Sequence, residues 1–182
     1  MGEQKEKLKT HGVEIIDSSA ITLEEYKQIR LAALKSNPQA FAEPLQNSLD
    51  RPDEKWQERL AKAREKKTSW MVFAREMSTG KIVGMTGGFR EDETKNAGEI
   101  WGVFVDETKR GQGIAAALME GILEEFMVIP TIKTAKLEVN VDQEGAKSLY
   151  SRFGFVESGN PYPHSMGDGQ NHLVQAMEKP LR

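Results

Sequence analysis

The sequence predicts a mixed α/β fold, in which a mostly antiparallel sheet of about seven strands carries helices on both faces. Two observations support this prediction. In the middle of the chain, segments with strand character follow one another across short polar turns, which is typical of antiparallel hairpins. Further on, a strand, an amphipathic helix and another strand occur in succession, and a connection of that kind places two strands parallel.

The first third of the chain is predicted to hold one short strand and two helices. Val13–Ile16 alternates enough for a strand. Thr22 and Glu25 have the spacing of a capping box, so a helix should begin directly after Thr22. Pro52 suits the first turn of a second helix, which its apolar stripe extends to about residue 66. The stretch between these helices, residues 39–50, looks irregular.

Three strands are predicted next. Ser69–Ala74 and Lys81–Thr86 are expected to pair as a hairpin around a turn at residues 78–81. The glycines at 84, 87 and 88 weaken the second of these strands and indicate twist or a bulge. Gly98–Val105 is the third strand of the group.

The last third is predicted to alternate between helix and strand. A helix should begin at Gly113, because apolar residues recur from Ile114 at a spacing of four. The segment between residues 159 and 170 is expected to be a loop. The remaining predicted elements are a strand at Thr134–Val141, a helix at about Gln143–Phe153, and strands at Gly154–Glu157 and His172–Met177.

Composition indicates one soluble globular domain spanning residues 1–182, with disorder expected at residues 1–10. The net charge of −3 weakly disfavours nucleic acid as a partner. The absence of cysteine excludes a cysteine nucleophile and a thiolate metal site. No apolar run approaches the length of a membrane span, and the charged start lacks a signal peptide, so we expect a cytoplasmic protein with no membrane partner.

A glycine turn between a strand and a helix is the most informative feature. Arg110-Gly111-Gln112-Gly113 precedes an apolar-faced helix, whose first N–H groups lack intrahelical partners. Glycines let an anion approach such groups closely, so the turn is suited to a pyrophosphate. The Lys-Ser/Thr pair of a P-loop is missing. Gly111, Gly113 and Ala116 formally match a dinucleotide fingerprint, but five polar residues separate them from the preceding strand.

Two segments together resemble a known family. Arg110–Ala115 resembles the Arg/Gln-x-x-Gly-x-Gly/Ala motif of the GNAT superfamily of N-acetyltransferases. Leu137–Phe155 is similar to the family's later strand–helix–strand segment, which ends in Leu-Tyr-x-x-x-Gly-Phe. With matching elements from Val13 to Met177, the resemblance covers nearly the whole chain. It implies the GNAT-like acyl-CoA N-acyltransferase fold with a splayed central parallel pair, acetyl-CoA as cosubstrate, and no metal.

The resemblance also assigns residues to the cofactor. The N–H groups of the glycine turn would hold the pyrophosphate, and the backbone of the preceding strand would pair with pantetheine. Asn140 would contact pantetheine or else satisfy local backbone, and Gln143 stands where the family commonly has Asn. The predicted cofactor-binding residues are Val103, Phe104, Val105, Arg110, Gly111, Gln112, Gly113, Ile114, Ala115, Asn140, Gln143 and Lys147.

Two residues are candidates for catalysis. Tyr150 would donate a proton to the departing thiolate, and the alternative is an aromatic at the edge of the core. Glu99 would remove the proton from the amine, directly or through water, and the alternative is an exposed carboxylate at a strand edge. A primary amine must be deprotonated first, since its ordinary pKa is about 10.4.

The predicted function is transfer of an acetyl group from acetyl-CoA to a primary amine of a small molecule or peptide, by direct attack in a ternary complex. The resemblance implies that the first two helices, the loop between them at residues 39–50 and the loop at 159–170 set the choice of acceptor, through candidates such as Phe41, Glu43, Tyr162 and Asp168. Two other functions stay open at this stage. One is a catalytically inactive CoA-binding module of the same fold, and the other is a nucleotide-dependent oxidoreductase. A homodimer is possible.

Overall fold

The computed structural model describes residues 9–10 and 12–182, and their strands form one sheet in the order β1-β2-β3-β4-β5-β6-β8-β7. The strands are β1 Lys9–Thr10, β2 Val13–Asp17, β3 Ser69–Glu76, β4 Ile82–Phe89, β5 Ala97–Val105, β6 Thr134–Asn140, β7 Val156–Ser165 and β8 Asn171–Pro180. The helices are α1 Leu23–Ser36, α2 Leu45–Leu49, α3 Asp53–Glu65, α4 Ile114–Met127 and α5 Glu144–Arg152. All seven predicted strands are present, and the two-residue β1 adds another. Of the residues 1–10 predicted to be disordered, Lys9 and Thr10 form β1, and residues 1–8 lie outside those that the structure describes.

The central parallel pair is splayed, as predicted. Every neighbouring pair of strands is antiparallel except β5 and β6. These two strands are in register only over Ala97–Glu99 and Thr134–Lys136, although β5 continues to Val105 and β6 to Asn140. The two strands therefore diverge after these pairs and leave a gap between their carboxyl ends.

A bulge in β5 begins at this gap. Gly87 of β4 pairs with Trp101 and Met85 pairs with Phe104, so Thr86 faces two residues of β5. One of them, Gly102, has a φ of +67°, a conformation that glycine adopts without steric cost. The bulge turns β5 away from the regular ladder where it also leaves β6.

Two segments differ from the sequence prediction. Residues 39–50 are not irregular throughout, because they contain the short helix α2. Most of the predicted loop at 159–170 belongs to β7, which pairs with β8 from Tyr162 to Ser165 after an irregularity. The glycine and prolines near residues 159–163 favour a turn locally, but pairing with β8 satisfies the backbone in an extended form.

Helices cover both faces of the sheet, as predicted. On one face, α4 packs against β3, β4 and β5, and the rings of Phe126 and Trp70 meet edge to face at 5.3 Å. On the other face, α1 and α3 bury Tyr26 and Trp56, whose ring centroids lie 5.2 Å apart, against Phe73 of β3.

Two glycines of the sheet make room for Phe126. A Cβ placed on Gly98 would lie 2.6 Å from Cε2 of this ring, and one on Gly88 would lie 2.6 Å from Cε1. Phe126 is fully buried, so the ring has little space to withdraw.

A cluster of charges joins the helices of the second face. Glu43 accepts hydrogen bonds from Arg30 of α1, at 2.9 Å, and from Arg51, while Nη1 of Arg59 on α3 lies 3.8 Å away. Burial alone would raise the pKa of Glu43, but hydrogen bonds and charges from Arg30 and Arg51 outweigh it and lower the pKa from 4.5 to about 2. This carboxylate is ionised whenever the protein is folded near neutral pH.

We expect Gly98→Ala to lower the free energy of unfolding by about 1–3 kcal/mol, because the new methyl group overlaps the ring of Phe126. Urea denaturation measures the change. Gly145→Ala in α5 is the matched control, since a Cβ there meets nothing within 4 Å, and we expect it to be neutral or to stabilise by up to about 1 kcal/mol. Equal stability of the two variants would contradict the packing described for Phe126.

We expect acid to weaken the fold between pH 4.5 and about 2, because the pKa of Glu43 is lower in the folded than in the unfolded chain. The stabilisation is present above pH 4.5 and is lost as the pH falls; allowing for solvent screening, it is roughly 1–3 kcal/mol. Glu43→Gln should be less stable at pH 7 and should lose less stability on acidification. Glu58→Gln, whose partner Lys55 is on the surface, is the control, and a matching pH profile for both variants would refute this role.

Candidate active site

Two adjoining cavities meet where β5 and β6 diverge. The larger has a volume of about 710 Å³ and the smaller of about 420 Å³. They lie against the same stretch of the two diverging strands. The residues that line both cavities are Ala40, Phe41, Ile100, Trp101, Gly102, Leu137, Glu138 and Asn140. The arrangement suits two molecules that approach from different sides and meet at the gap in the sheet.

The smaller cavity gathers much of the predicted cofactor site. It lies between the end of β5, the start of α4 and the helix α5. Its lining includes eight of the predicted site residues, namely Val103, Phe104, Val105, Arg110, Ala115, Asn140, Gln143 and Tyr150. The predicted residues Gly111, Gln112, Gly113, Ile114 and Lys147 are not part of the lining.

The glycine turn is shaped as an anion cradle at the start of α4. Gly111 and Gly113 have φ values of +76° and +77°, and Gly113 is the N-cap of the helix. The backbone N–H groups of residues 111–116 donate to no other described residue. Arg110 holds the turn in place, because its guanidinium donates to the Val105 carbonyl at 3.2 Å and to Oδ1 of Asn37 at 3.0 Å. A diphosphate fits this set of free donors at the positive end of the helix dipole.

Two further predicted residues have partners within the protein. The buried amide of Asn140 donates to the Gln39 carbonyl at 3.2 Å and accepts from the Asp142 N–H at 3.0 Å. Asn140 thus bonds to the nearby backbone of Asp142 and to the distant backbone of Gln39, while it still lines both cavities. Lys147 forms an ion pair with Glu157 at 2.9 Å, which directs its ammonium away from the smaller cavity.

Tyr150 lies in the wall of the smaller cavity. It is buried on α5 beside Phe155, with ring centroids 6.3 Å apart. Burial raises the pKa of its hydroxyl well above the ordinary 10. The hydroxyl makes no hydrogen bond to another described residue, so it is free to donate one to a bound molecule.

Glu99 lies in the other cavity. Its exposed side chain lines the larger cavity and not the smaller one. In the sheet, Glu99 pairs with Lys136 of β6, which in turn pairs with Glu178 of β8, so the three charges form one row across the larger cavity. The two predicted catalytic residues therefore face different cavities that share a wall.

Glu138 is a carboxylate that the sequence analysis did not single out. It lines both cavities and accepts a hydrogen bond from the hydroxyl of Tyr162. Burial, this hydrogen bond and the charges of Glu138 and Glu99 together raise the pKa of Tyr162 to about 12. Tyr162 thus stays protonated and keeps donating to Glu138.

The expected acidic groups of the acceptor segments are already paired. Glu43 is held by arginines, and Asp168 bonds to Nε2 of His172 at 2.7 Å. The tip of the β7–β8 hairpin instead closes the larger cavity, because Gly167 donates to the Phe41 carbonyl at 2.6 Å. A Cβ on Gly167 would lie 2.7 Å from the Glu43 carbonyl oxygen, so this contact requires glycine.

The helix side of the larger cavity carries groups that the sequence analysis missed. Tyr26, Arg30, Arg59 and Lys62 line it from α1 and α3. Tyr26 belongs to the buried, otherwise apolar stripe of α1, and Arg30 lies four residues later on the same face of the helix. A buried charge on an otherwise apolar stripe was the sequence feature that could have revealed this wall.

The described residues contain neither a cluster suited to a metal ion nor a helix suited to a membrane. Among residues 9–10 and 12–182, no group of three or more His, Asp or Glu is arranged to hold a metal ion. In the same part of the chain, no helix has both the length and the apolar character needed to cross a bilayer.

Comparison with known proteins gives both a family and a fold. The profile of the Acetyltransferase (GNAT) family matches residues 30–155. A GNAT-family acetyltransferase from Streptococcus pneumoniae superposes with a TM-score of 0.75 at 17% identity, over 92% of this chain and 99% of that one. Spermidine N-acetyltransferase from Vibrio cholerae, in complex with CoA and spermine, gives 0.72 at 15% identity, over 93% and 96%. None of the curated protein sequences compared with the chain matches it.

A third structure extends the comparison. A ribosomal L7/L12 alpha-N-protein acetyltransferase in complex with coenzyme A has a TM-score of 0.71 at 16% identity, over 93% of this chain and 94% of that one. At such identities the structural likeness establishes the fold alone, whereas the family profile covers more than half of the chain and includes both motifs. The chain belongs to the GNAT acetyltransferase family.

Proposed function

We propose that this protein transfers an acetyl group from acetyl-CoA to a primary amine by direct attack in a ternary complex. The observation that carries the proposal is the pair of cavities that share a wall at the gap between β5 and β6. A donor in the smaller cavity and an acceptor in the larger one meet there without a covalent acyl-enzyme. The thioester of the cosubstrate supplies the acetyl group.

The smaller cavity is the proposed donor site. The free N–H groups of residues 111–116 bind the diphosphate, and the positive end of the α4 dipole adds to the attraction. Val103–Val105 lies next to this cradle and offers the backbone groups that β6 leaves unpaired. These groups suit the amides of an extended pantetheine arm and orient its sulfur toward the shared wall.

Tyr150 is the proposed acid. Its hydroxyl is free, it lines the donor cavity, and burial keeps its pKa high. The group therefore carries its proton at every pH at which the enzyme works, and it can donate to sulfur as negative charge develops there. A thiol has an ordinary pKa of about 8.5, so this proton makes the thiol a better leaving group than the bare thiolate.

Glu99 is the proposed base. It lies in the larger cavity, which is the acceptor site in this scheme, and removes a proton from the incoming ammonium through water. Glu138 reaches both cavities and stabilises the ammonium before that proton is lost. Because Tyr162 donates a hydrogen bond to Glu138, we assign proton removal to Glu99 and the binding of the ammonium to Glu138.

We expect the purified protein to release free thiol from acetyl-CoA when a suitable amine is added, and Tyr150→Phe to lower kcat by about 10²-fold or more. The affinity for CoA should stay within threefold. Tyr162→Phe is the matched control, since Tyr162 lies outside the residues that line the donor cavity, and its kcat should fall far less. An unchanged kcat in Tyr150→Phe across the pH profile would remove the acid role, and no thiol release with any amine would remove the proposed reaction.

We expect Gly113→Ala to weaken CoA binding tenfold or more, because a side chain strains the positive φ at the N-cap and disturbs the cradle. Calorimetry measures the dissociation constant. Gly80→Ala is the control, since Gly80 has a φ of +73° in the β3–β4 turn, and a Cβ there meets nothing within 4 Å. Equal CoA affinity in the two variants would show that the turn does not hold the diphosphate.

A further inference from the structure

Two buried polar groups of α1 lack partners in the wall of the larger cavity. The hydroxyl of Tyr26 makes no hydrogen bond, and neither do Nε and Nη1 of Arg30. Tyr26 is fully buried and Arg30 is 5% exposed, and both residues belong to the lining of the larger cavity. Unsatisfied buried donors are costly, and a guanidinium is the costliest of them. The two residues are four apart on one face of a helix, so their donors belong to one patch of the cavity wall.

The charges around this patch are out of balance. Arg30, Arg51 and Arg59 surround a single carboxylate, Glu43, which uses both of its oxygens on them. Lys62 adds a further cation to the same side of the cavity. The helix side of the larger cavity therefore carries more positive charge than its one carboxylate neutralises, and an anion is the complementary ligand.

The opposite side of the larger cavity has the reverse charge. Glu99, Glu138 and Glu178 line it from the sheet, with Lys136 as the only cation among the described sheet residues of the lining. A single cavity thus presents an acidic wall to an ammonium and a basic wall to an anion. A ligand that carries both charges satisfies both walls at once.

The position of Arg30 sets how far apart the two charges of the ligand lie. Its guanidinium carbon is 5.1 Å from the ring centre of Phe41 and 5.2 Å from that of Trp101, and both rings line both cavities. Nη1 comes within 3.4 Å of the place where a Cβ on Gly102 would stand. An anion held by Arg30 is therefore beside the junction where the amine must meet the donor, so amine and anion are close together in the ligand.

We propose that the acceptor is a free α-amino acid, whose carboxylate is bound by Arg30 and the hydroxyl of Tyr26 while its amine faces Glu99 and Glu138. This inference rests on the proposed function, because it takes the larger cavity to be the acceptor site. In an α-amino acid a single carbon separates the two groups, which matches an anion site next to the junction. The remaining volume of the cavity takes the side chain.

Calorimetry on the full chain saturated with CoA tests the inference, with the twenty standard amino acids as titrants and, for each that binds, its decarboxylated amine. We expect at least one amino acid to bind tenfold or more tightly than its amine. Tyr26→Phe should reduce that preference to threefold or less. Because this variant removes a hydroxyl that has no partner, we expect it to fold and to bind CoA as the wild type does.

Arg30→Met is the second variant, and it should also lose the preference for an amino acid over its amine. Because Arg30 donates a hydrogen bond to Glu43 as well, thermal melting reports whether this variant folds. Lys55→Met, on the exposed surface of α3, is the control for loss of a cation and should keep the full preference. Amines that bind as well as the amino acids, no binding of any amino acid, or a preference that survives Tyr26→Phe would each overturn the inference. A separate titration of each protein with CoA alone scores loss of CoA binding, which would contradict the proposed function and not this inference.

Discussion

The divergence of β5 from β6 is the constraint on which the rest of the structure depends. Three residue pairs hold these parallel strands together, and beyond Glu99 their facing backbone groups have no ladder to join. The bulge at Gly102 supports this geometry, since it turns β5 away from the regular ladder with β4. Both cavities lie along the opening. The site is therefore a consequence of incomplete strand pairing rather than of any one side chain.

The opening also explains how two different chemistries share one wall. In the smaller cavity, which we propose holds the donor, the useful groups are backbone N–H donors of a helix start, which need no side chains. In the larger cavity, which we propose holds the acceptor, the useful groups are charged side chains of α1, α3 and the sheet. Glu43 joins the helices through the same arginines, so the stability of the fold and the proposed recognition of an acceptor both depend on these arginines. Changes in this cluster should affect both properties together.

The sequence predicted the features that follow from local chemistry. The capping box at Thr22 and Glu25 forms, and the helix of the glycine turn begins at Ile114. What sequence reasoning missed depends on contacts between distant segments. The extension of β7 arises from pairing with β8, and Lys147 turns to Glu157, a partner outside its own helix. Arg30 was not predicted because the buried stripe of α1 is recognised in the sequence by its apolar residues, and Arg30 is a charged residue among them.

Amide chemical shifts of the labelled protein during a titration with CoA test the central claim most directly, because they locate the bound molecule residue by residue. The account predicts saturable changes that are largest at residues 111–116 of the glycine turn and at residues 103–105 in the wall of the smaller cavity, with none in the β3–β4 turn around Gly80. Changes concentrated elsewhere, or no change at saturating CoA, would contradict the claim that the glycine turn and the parted strand form the donor site.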